Sequence, residues 1–423
     1  MTYPAEAEEF RTDVRKILAD ELPVGWQGIG AIPTEAETAE FVLRWRAVLH
    51  RRGLLGLTWP AEYGGRGLSQ LHQVVLVEEL TRAGLPFGRQ PLEATGLKML
   101  GNTLLRWGTA EQKAKYLPGL LSGEIRFCQG FSEPSAGSDL ASVRTRARLE
   151  EDEWVINGQK IWTSGALHCT HIFVLARTDP DAPKHRGLSF LLVPLRQPGI
   201  EVRPIRHMAG GREFCEIFFT DAKTGADEVV GEVNGGWTVS KTLLVLERGE
   251  EAAVNPILFR AEFERLAELA RRTGAIKDAV IRQRIAAAYA RVEVMRFIGY
   301  RILTEVLDGK DATRPGAARP GAAGPSAAGP GKGSTSASVS KLYWSEYHRQ
   351  VTQLALDIEG LAGLVPVGKG PSRASRADDP GSDPASSNAW WQVSLNARAG
   401  TIYAGTSEVQ RNIIAEGVLG LPR

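Results

Sequence analysis

The sequence is poor in cysteine, has no long apolar run and shows almost no charge imbalance. Cys128, Cys169 and Cys215 are its three cysteines, and no CxxC pair occurs. That excludes a disulfide framework, a zinc knuckle and a thioredoxin-like redox pair. No apolar stretch approaches the ~18 residues of a membrane span. The opening MTYPAEAEEF is acidic where a secretory signal is basic and then apolar. A cytoplasmic, reducing setting is the expectation. The 51 Lys and Arg against 49 Asp and Glu leave a formal net charge of +2. No global field therefore draws the chain to nucleic acid or anionic lipid. There is no GxxxxGK[ST], no HExxH and no GxSxG, and the seven histidines lack metal-ligand spacing. A P-loop ATPase, a zinc peptidase, a serine hydrolase and a metal site thus lack support. Tyr63-Gly64-Gly65-Arg66-Gly67 does not follow a strand in a βαβ setting, which argues against a dinucleotide fold.

What is present is an ordinary soluble composition, 43% hydrophobic and 24% charged, over 423 residues. Such a chain buries a large core, and at roughly 150 residues per domain it suggests about three domains. Residues up to about 125 read as helical. Val74, Val77, Leu80 and Thr81 share one face before Gly84, and Thr109 is placed to cap AEQKAKYLPGLL. From about 126 the texture changes. EWVINGQKIW holds Asn157-Gly158, which predicts a hairpin turn; HIFVLAR, LSFLLVPL, IEVRPI and EIFF follow as short strands. From about 236 the helical period returns in RAEFERLAELARR and IRQRIAAAYARVEVMRFIGYRILTEVL. Helices, then strands, then helices indicate an α+β chain rather than alternating βαβ units. PGAARPGAAGPSAAGPGK (315–332) and VGKGPSRASRADDPGSDPASSN (367–388) have little to bury and read as flexible surface insertions.

Four stretches go further: LGLTWPAEYGGRG (55–67), CQGFSEPSAGSDLASVRTRA (128–147), INGQKIWTSGA (156–166) and TIYAGTSEVQRNIIAEGVLGLPR (401–423). In this order they resemble the acyl-CoA dehydrogenase family of flavoproteins. The resemblance implies an N-terminal helical domain (1–125), a central β-barrel-like domain (126–235) and a C-terminal four-helix bundle (236–423) with insertions at 312–337 and 366–388. It implies bound FAD, α,β-dehydrogenation of an acyl-CoA thioester and transfer of electrons to an electron-transfer flavoprotein. Two alternatives keep the fold: a non-catalytic subunit of a heteromeric dehydrogenase, and an acyl-CoA oxidase that reduces O2.

That chemistry needs a carboxylate near the acidic α-carbon, a hydride acceptor near the β-carbon and hydrogen bonds to the thioester carbonyl. The resemblance assigns Gln129, Ser132, Gly137 and Ser138 to the flavin loop, Ser138 also touching the acyl thioester. It assigns Trp162, Thr163 and Ser164 to the flavin ring, and Thr406 and Glu408 to further cofactor contacts. Ser407 with Gln410 fits an S-x-x-Q capping box at the start of the last helix. Many family members carry the catalytic Glu just before the Gly-Thr of the last motif. Here Ala404 precedes Gly405, and a methyl group cannot accept a proton. Some relatives place the base in an apolar-Glu-Arg motif instead, which this chain carries as Leu243-Leu244-Val245-Leu246-Glu247-Arg248. Glu247 is the expected base, ahead of Glu250 and Glu251, with Arg248, Ala404 and Gly405 facing substrate. Arg271 or Arg272 stands where relatives have an Arg for the FAD diphosphate, without the usual Phe after it. Asp357-Ile358-Glu359-Gly360 replaces a Gln-x-x-Gly tied to a neighbouring subunit's FAD. Ile285, Tyr289 and Val292 lie on one helix face and Ala287 and Val294 on another, which predicts a homodimer or homotetramer.

Overall fold

The structure is a computed structural model that describes residues 3–85, 94–307, 335–368, 370 and 386–422. The side chains at 35, 94, 245–253, 305–307 and 335–338 are outside the description, as is most of both expected insertions.

The chain begins with α1 (Ala5–Glu21), whose Ala7, Phe10, Val14 and Leu18 form one buried stripe. Next comes α2 (Glu35–Arg51), which opens on a capping box between Thr34 and Glu37. The following helix, α3 (Gln70–Arg82), is buried on nearly every side, through Leu71, Val74, Val75, Leu76, Val77 and Leu80. It is the axis of the N-terminal unit rather than a one-faced surface helix. A π-helical turn (Ala94–Gly101) leads into α4 (Asn102–Trp107). Then α5 (Ala110–Ser122) starts on the expected Thr109 cap, reinforced by Gln112.

Seven strands follow: β1 (Phe127–Gly130), β2 (Arg146–Glu150), β3 (Glu153–Ser164), β4 (His171–Arg177), β5 (Leu188–Pro194), β6 (Ile200–Ile205) and β7 (Phe214–Gly225). They form one sheet in the order β1-β4-β2-β3-β7-β6, with β5 also paired to β4. The sheet curls on itself, so that Thr224 of β7 donates its hydroxyl to Leu192 O of β5 at 2.6 Å. The hairpin expected at Asn157-Gly158 is not there. β3 runs straight through both residues, with a register shift against β7 between Ile156 and Gly158. The turn instead lies at Glu151-Asp152, joining β2 to β3, with Glu151 at a φ of 55°. Asn157 faces the opposite strand, its side chain donating to Asp221 Oδ1 at 2.8 Å and accepting from Asp221 N at 3.0 Å.

The C-terminal unit is helical: α6 (Gly236–Arg272), α7 (Ala279–Leu307), α8 (Thr335–Glu359), α9 (Ser387–Gly400) and α10 (Ser407–Gly417). Phe259, Leu266, Val292, Tyr347, Leu354, Trp390 and Val393 share one buried core among the first four. The start of α6 packs on the sheet and on the N-terminal helices. A Cβ at Gly236 would lie 2.6 Å from Phe190 N, so only glycine allows this approach to β5. Trp107 reaches the same helix through Nε1 to Thr242 Oγ1 at 3.2 Å. Thus α6 joins all three units. Among the described residues no helix is long and apolar enough to cross a membrane.

Candidate active site

The loop after β1 is held from below and open above. Phe131, Glu133 and Ala136 are buried, whereas Pro134, Ser135, Gly137 and Ser138 are exposed. Glu133 and Ala136 exchange backbone hydrogen bonds at 3.1 and 3.0 Å, and Ile161 N donates to Ser132 O at 2.9 Å. Beneath the loop the Lys160 ammonium, fully buried, donates to Glu133 Oε1 at 2.8 Å, Leu175 O at 2.8 Å and Phe131 O at 3.0 Å. Burial pushes the Lys160 pKa down to about 8, with Glu133 pulling the other way. Burial would also raise Glu133, but Lys160 and the Arg144 and Thr145 contacts hold it below the ordinary carboxylate range. At the loop's far end Lys184 Nζ lies 2.9 Å from Asp139.

The end of β3 lies beside this loop. A second register shift, between Lys160 and Thr163, breaks the alternation. Trp162 sits there at a φ of 63° and is 56% exposed. A bulky residue in the left-handed region is strained, and such strain persists where the fold imposes it. Ser164 is half-buried and Thr163 fully buried. Among the described residues the Thr163 hydroxyl has no hydrogen-bond partner. Gln129 is half-buried on β1, in register with Phe173 of β4. Gln129, Ser132, Gly137, Ser138, Trp162, Thr163 and Ser164 therefore all belong to β1, the loop that follows it and the end of β3.

The terminal turn is a separate grouping, packed on α8. Ala404 and Gly405 have φ values of 52° and 89°. Lys341 Nζ donates to Gly405 O at 2.6 Å, and Gln410 Nε2 to Ala404 O at 2.9 Å. The expected capping box does not form, and the N-cap lies one residue earlier than Ser407. Thr406 is the cap, accepting from Val409 N at 3.2 Å, while Ser407 Oγ donates to Glu346 Oε1 at 2.7 Å. Glu408 is exposed, and hydrogen bonds from its own backbone and from Thr406 hold its carboxyl below the ordinary range. A cavity of about 380 Å³ adjoins the turn, lined by Glu346, Arg349, Thr406, Glu408 and Arg411 among others.

Glu247 and Arg248, with Glu250 and Glu251, lie within α6, but their side chains fall outside the described residues. The described neighbours along this helix include Leu243 and Val254, both buried. Farther along, Arg271 pairs with Glu268 at 3.1 Å and Arg284 with Asp357 at 2.7 Å. Glu359 lies in the field of Arg272 and Arg265, and burial pushes its pKa up to about 7. The two stretches that depart from the expected diphosphate contacts are thus neighbours in space.

Models for the acyl-CoA dehydrogenase N-terminal, middle and C-terminal domains match residues 4–124, 128–222 and 234–419. The chain belongs to the acyl-CoA dehydrogenase family. It is 42% identical to acyl-CoA dehydrogenase IpdE1 of Mycobacterium tuberculosis over 99% of this chain and 98% of that one. The Tcur3481-Tcur3483 steroid ACAD is similar in structure, with a TM-score of 0.76 and 34% identity over 100% of this chain and 99% of that one. The ChsE4-ChsE5 complex of Mycobacterium tuberculosis gives a TM-score of 0.76 and 28% identity over the same shares. This acyl-CoA dehydrogenase is an oxidoreductase.

Reading the sequence missed the support beneath the loop of this dehydrogenase. A partial signal was available: a lysine inside the strand-forming run INGQKIW needs an opposite charge if it is buried, although the bulge between Ile156 and Gly158 hides which face it takes. Glu133, in FSEPSAGSD, is the nearby carboxylate. The link from Lys341 to the Gly405 carbonyl left no comparable trace, because its partner is a backbone atom 64 residues away.

Proposed function

We propose that this chain catalyses FAD-dependent α,β-dehydrogenation of an acyl-CoA thioester, with Glu247 removing the α-proton. The observation that carries the flavin reading is the outward, left-handed Trp162 at the end of β3. Around it are an unbonded Thr163 hydroxyl, the open backbone at Gly137 and the exposed Ser138. A broad aromatic face beside hydroxyls and accessible N–H groups matches the isoalloxazine ring and its polar edge. The residues present therefore fit the cofactor, which family members generally use. Bound FAD would supply the hydride acceptor for the β-carbon.

The protein's own work is positioning and proton transfer. Ser132, Gly137 and Ser138 orient the ring and the thioester from one side, and Trp162 covers the ring. The Thr406 turn, with Glu408, adds cofactor contacts. Ala404 contains no titratable atom, so the base comes from elsewhere. Glu247 follows Leu243 by one helical turn and precedes Val254 by two, a stripe whose ends are buried. A general base at this position would need an apolar setting, which raises a carboxyl from about 4.3 toward a useful value. The acyl group we assign is polycyclic, on the strength of the structural likeness to a steroid ACAD. An electron-transfer flavoprotein is the proposed acceptor.

Anaerobic bleaching of the flavin by a panel of acyl-CoA esters tests the reaction and the acyl class together. Glu247→Gln should keep its flavin and lose about 10²- to 10⁴-fold in kcat. A colourless wild-type protein defeats the cofactor assignment; full activity in Glu247→Gln moves the base to another residue. A second reading, a non-catalytic subunit of a heteromeric dehydrogenase, is favoured by Ala404 in place of the usual carboxylate and by Glu359, which puts a carboxyl group in the field of Arg272. Structural neighbours also pair two different chains.

A further inference from the structure

The buried charges beneath the flavin loop have no part in proton or hydride transfer. Lys160 and Glu133 have side chains 0% and 6% exposed. Replacing such a pair with apolar residues of similar size is often neutral or stabilising, so stability is a weak reason for its presence. Geometry offers a stronger one. The ammonium has three hydrogens and the structure gives it three acceptors: Phe131 O at the end of β1, Glu133 in the loop, and Leu175 O on β4. The carboxylate continues the network, accepting from Arg144 N at 2.7 Å and Thr145 N at 2.8 Å just before β2. The start of the loop, at Phe131 and Glu133, and the segment that follows it, at Arg144 and Thr145, are thereby tied to the strand that carries Trp162. An apolar pair would fill the same space without fixing any of these backbone groups.

We propose that Lys160 and Glu133 form a positioning device that sets loop 131–139 against the end of β3 before flavin binds. This inference rests on the flavin reading above. Neither residue touches the substrate; they act through the backbone at Ser132, Gly137 and Ser138. A loop already in its binding geometry loses less conformational freedom when the ligand arrives, which strengthens binding without adding a contact.

Two measurements test the device. The first is hydrogen exchange on flavin-free and FAD-loaded wild-type protein. The N–H groups of Glu133, Ala136, Arg144 and Thr145 should be protected equally in both, and rapid exchange without FAD would overturn the proposal. The second is FAD titration of Lys160→Met and of Lys160→Met/Glu133→Gln, the double variant leaving no unpaired buried charge. With folding verified by circular dichroism, the double variant should bind FAD at least about tenfold more weakly and shift the flavin visible band. Wild-type affinity and an unchanged band in the folded double variant would also overturn it. Failure of the wild type to bind FAD would defeat the flavin reading, while exchange in the flavin-free protein still decides whether the loop is pinned.

Discussion

At Glu359 burial outweighs two arginines. The folded carboxyl is raised to about 7, against an ordinary value of 4.5. Its folded pKa is the higher one, so the folded state binds the proton more tightly. The group's favourable contribution is complete below about 4.5 and is lost as pH rises through about 7. Glu359→Gln should therefore match wild type near pH 4.5 and exceed its Tm by about 2 °C at pH 8, allowing for partial solvent screening. Scanning calorimetry at the two pH values checks this, and an equal difference at both would mean an ordinary carboxylate. The residue types of the site were legible at this scale: the serines of FSEPSAGSD, the Trp-Thr-Ser run and the missing carboxylate at Ala404. Their exposures were not. Trp162 stands out and Thr163 points in because a bulge interrupts the alternation, and a bulge depends on the register of the opposing strand.

In β3 one dipeptide supported two readings. Asn-Gly favours a two-residue turn, yet the same glycine tolerance serves a bulge within a strand. Pairing decides between them, since β3 is bonded to β2 on one side and to β7 on the other, which no turn at 157–158 would allow. Gly158 has a φ of 148°, and a Cβ there would lie 2.7 Å from Thr145 Cα. Gly158→Ala should cost about 1–3 kcal/mol of stability, read from urea unfolding. An unchanged midpoint would show that the bulge relaxes without loss. The last helix teaches a similar lesson. Thr406 and Ser407 are both good caps; Ser407 is taken by Glu346 of α8, so Thr406 caps the helix.

Across the whole molecule, α7 divides its faces. Ile285 and Val292 are buried within the bundle, while Tyr289, Val294 and Phe297 are 45%, 42% and 59% exposed. Leu361, Leu364 and Val365 add apolar surface after α8. Apolar side chains in this number fit contact with another chain. We expect light scattering to give a mass above the 45.9 kDa of one chain. Co-purification with a second, related chain would select the heteromer, and a monomer mass alone would contradict both assemblies.

The order of helices, strands and helices, the FSEPSAGSD motif and the missing carboxylate at Ala404 followed from sequence alone. Period and motif are local properties, and the chain carries them in any conformation. Only the tertiary structure decided that Lys160 meets Glu133, that Trp162 turns outward and that Glu359 lies in the field of Arg272. Each of these depends on burial and on backbone groups far apart in the chain, and those are defined only once the sheet has curled and α6 has packed against it.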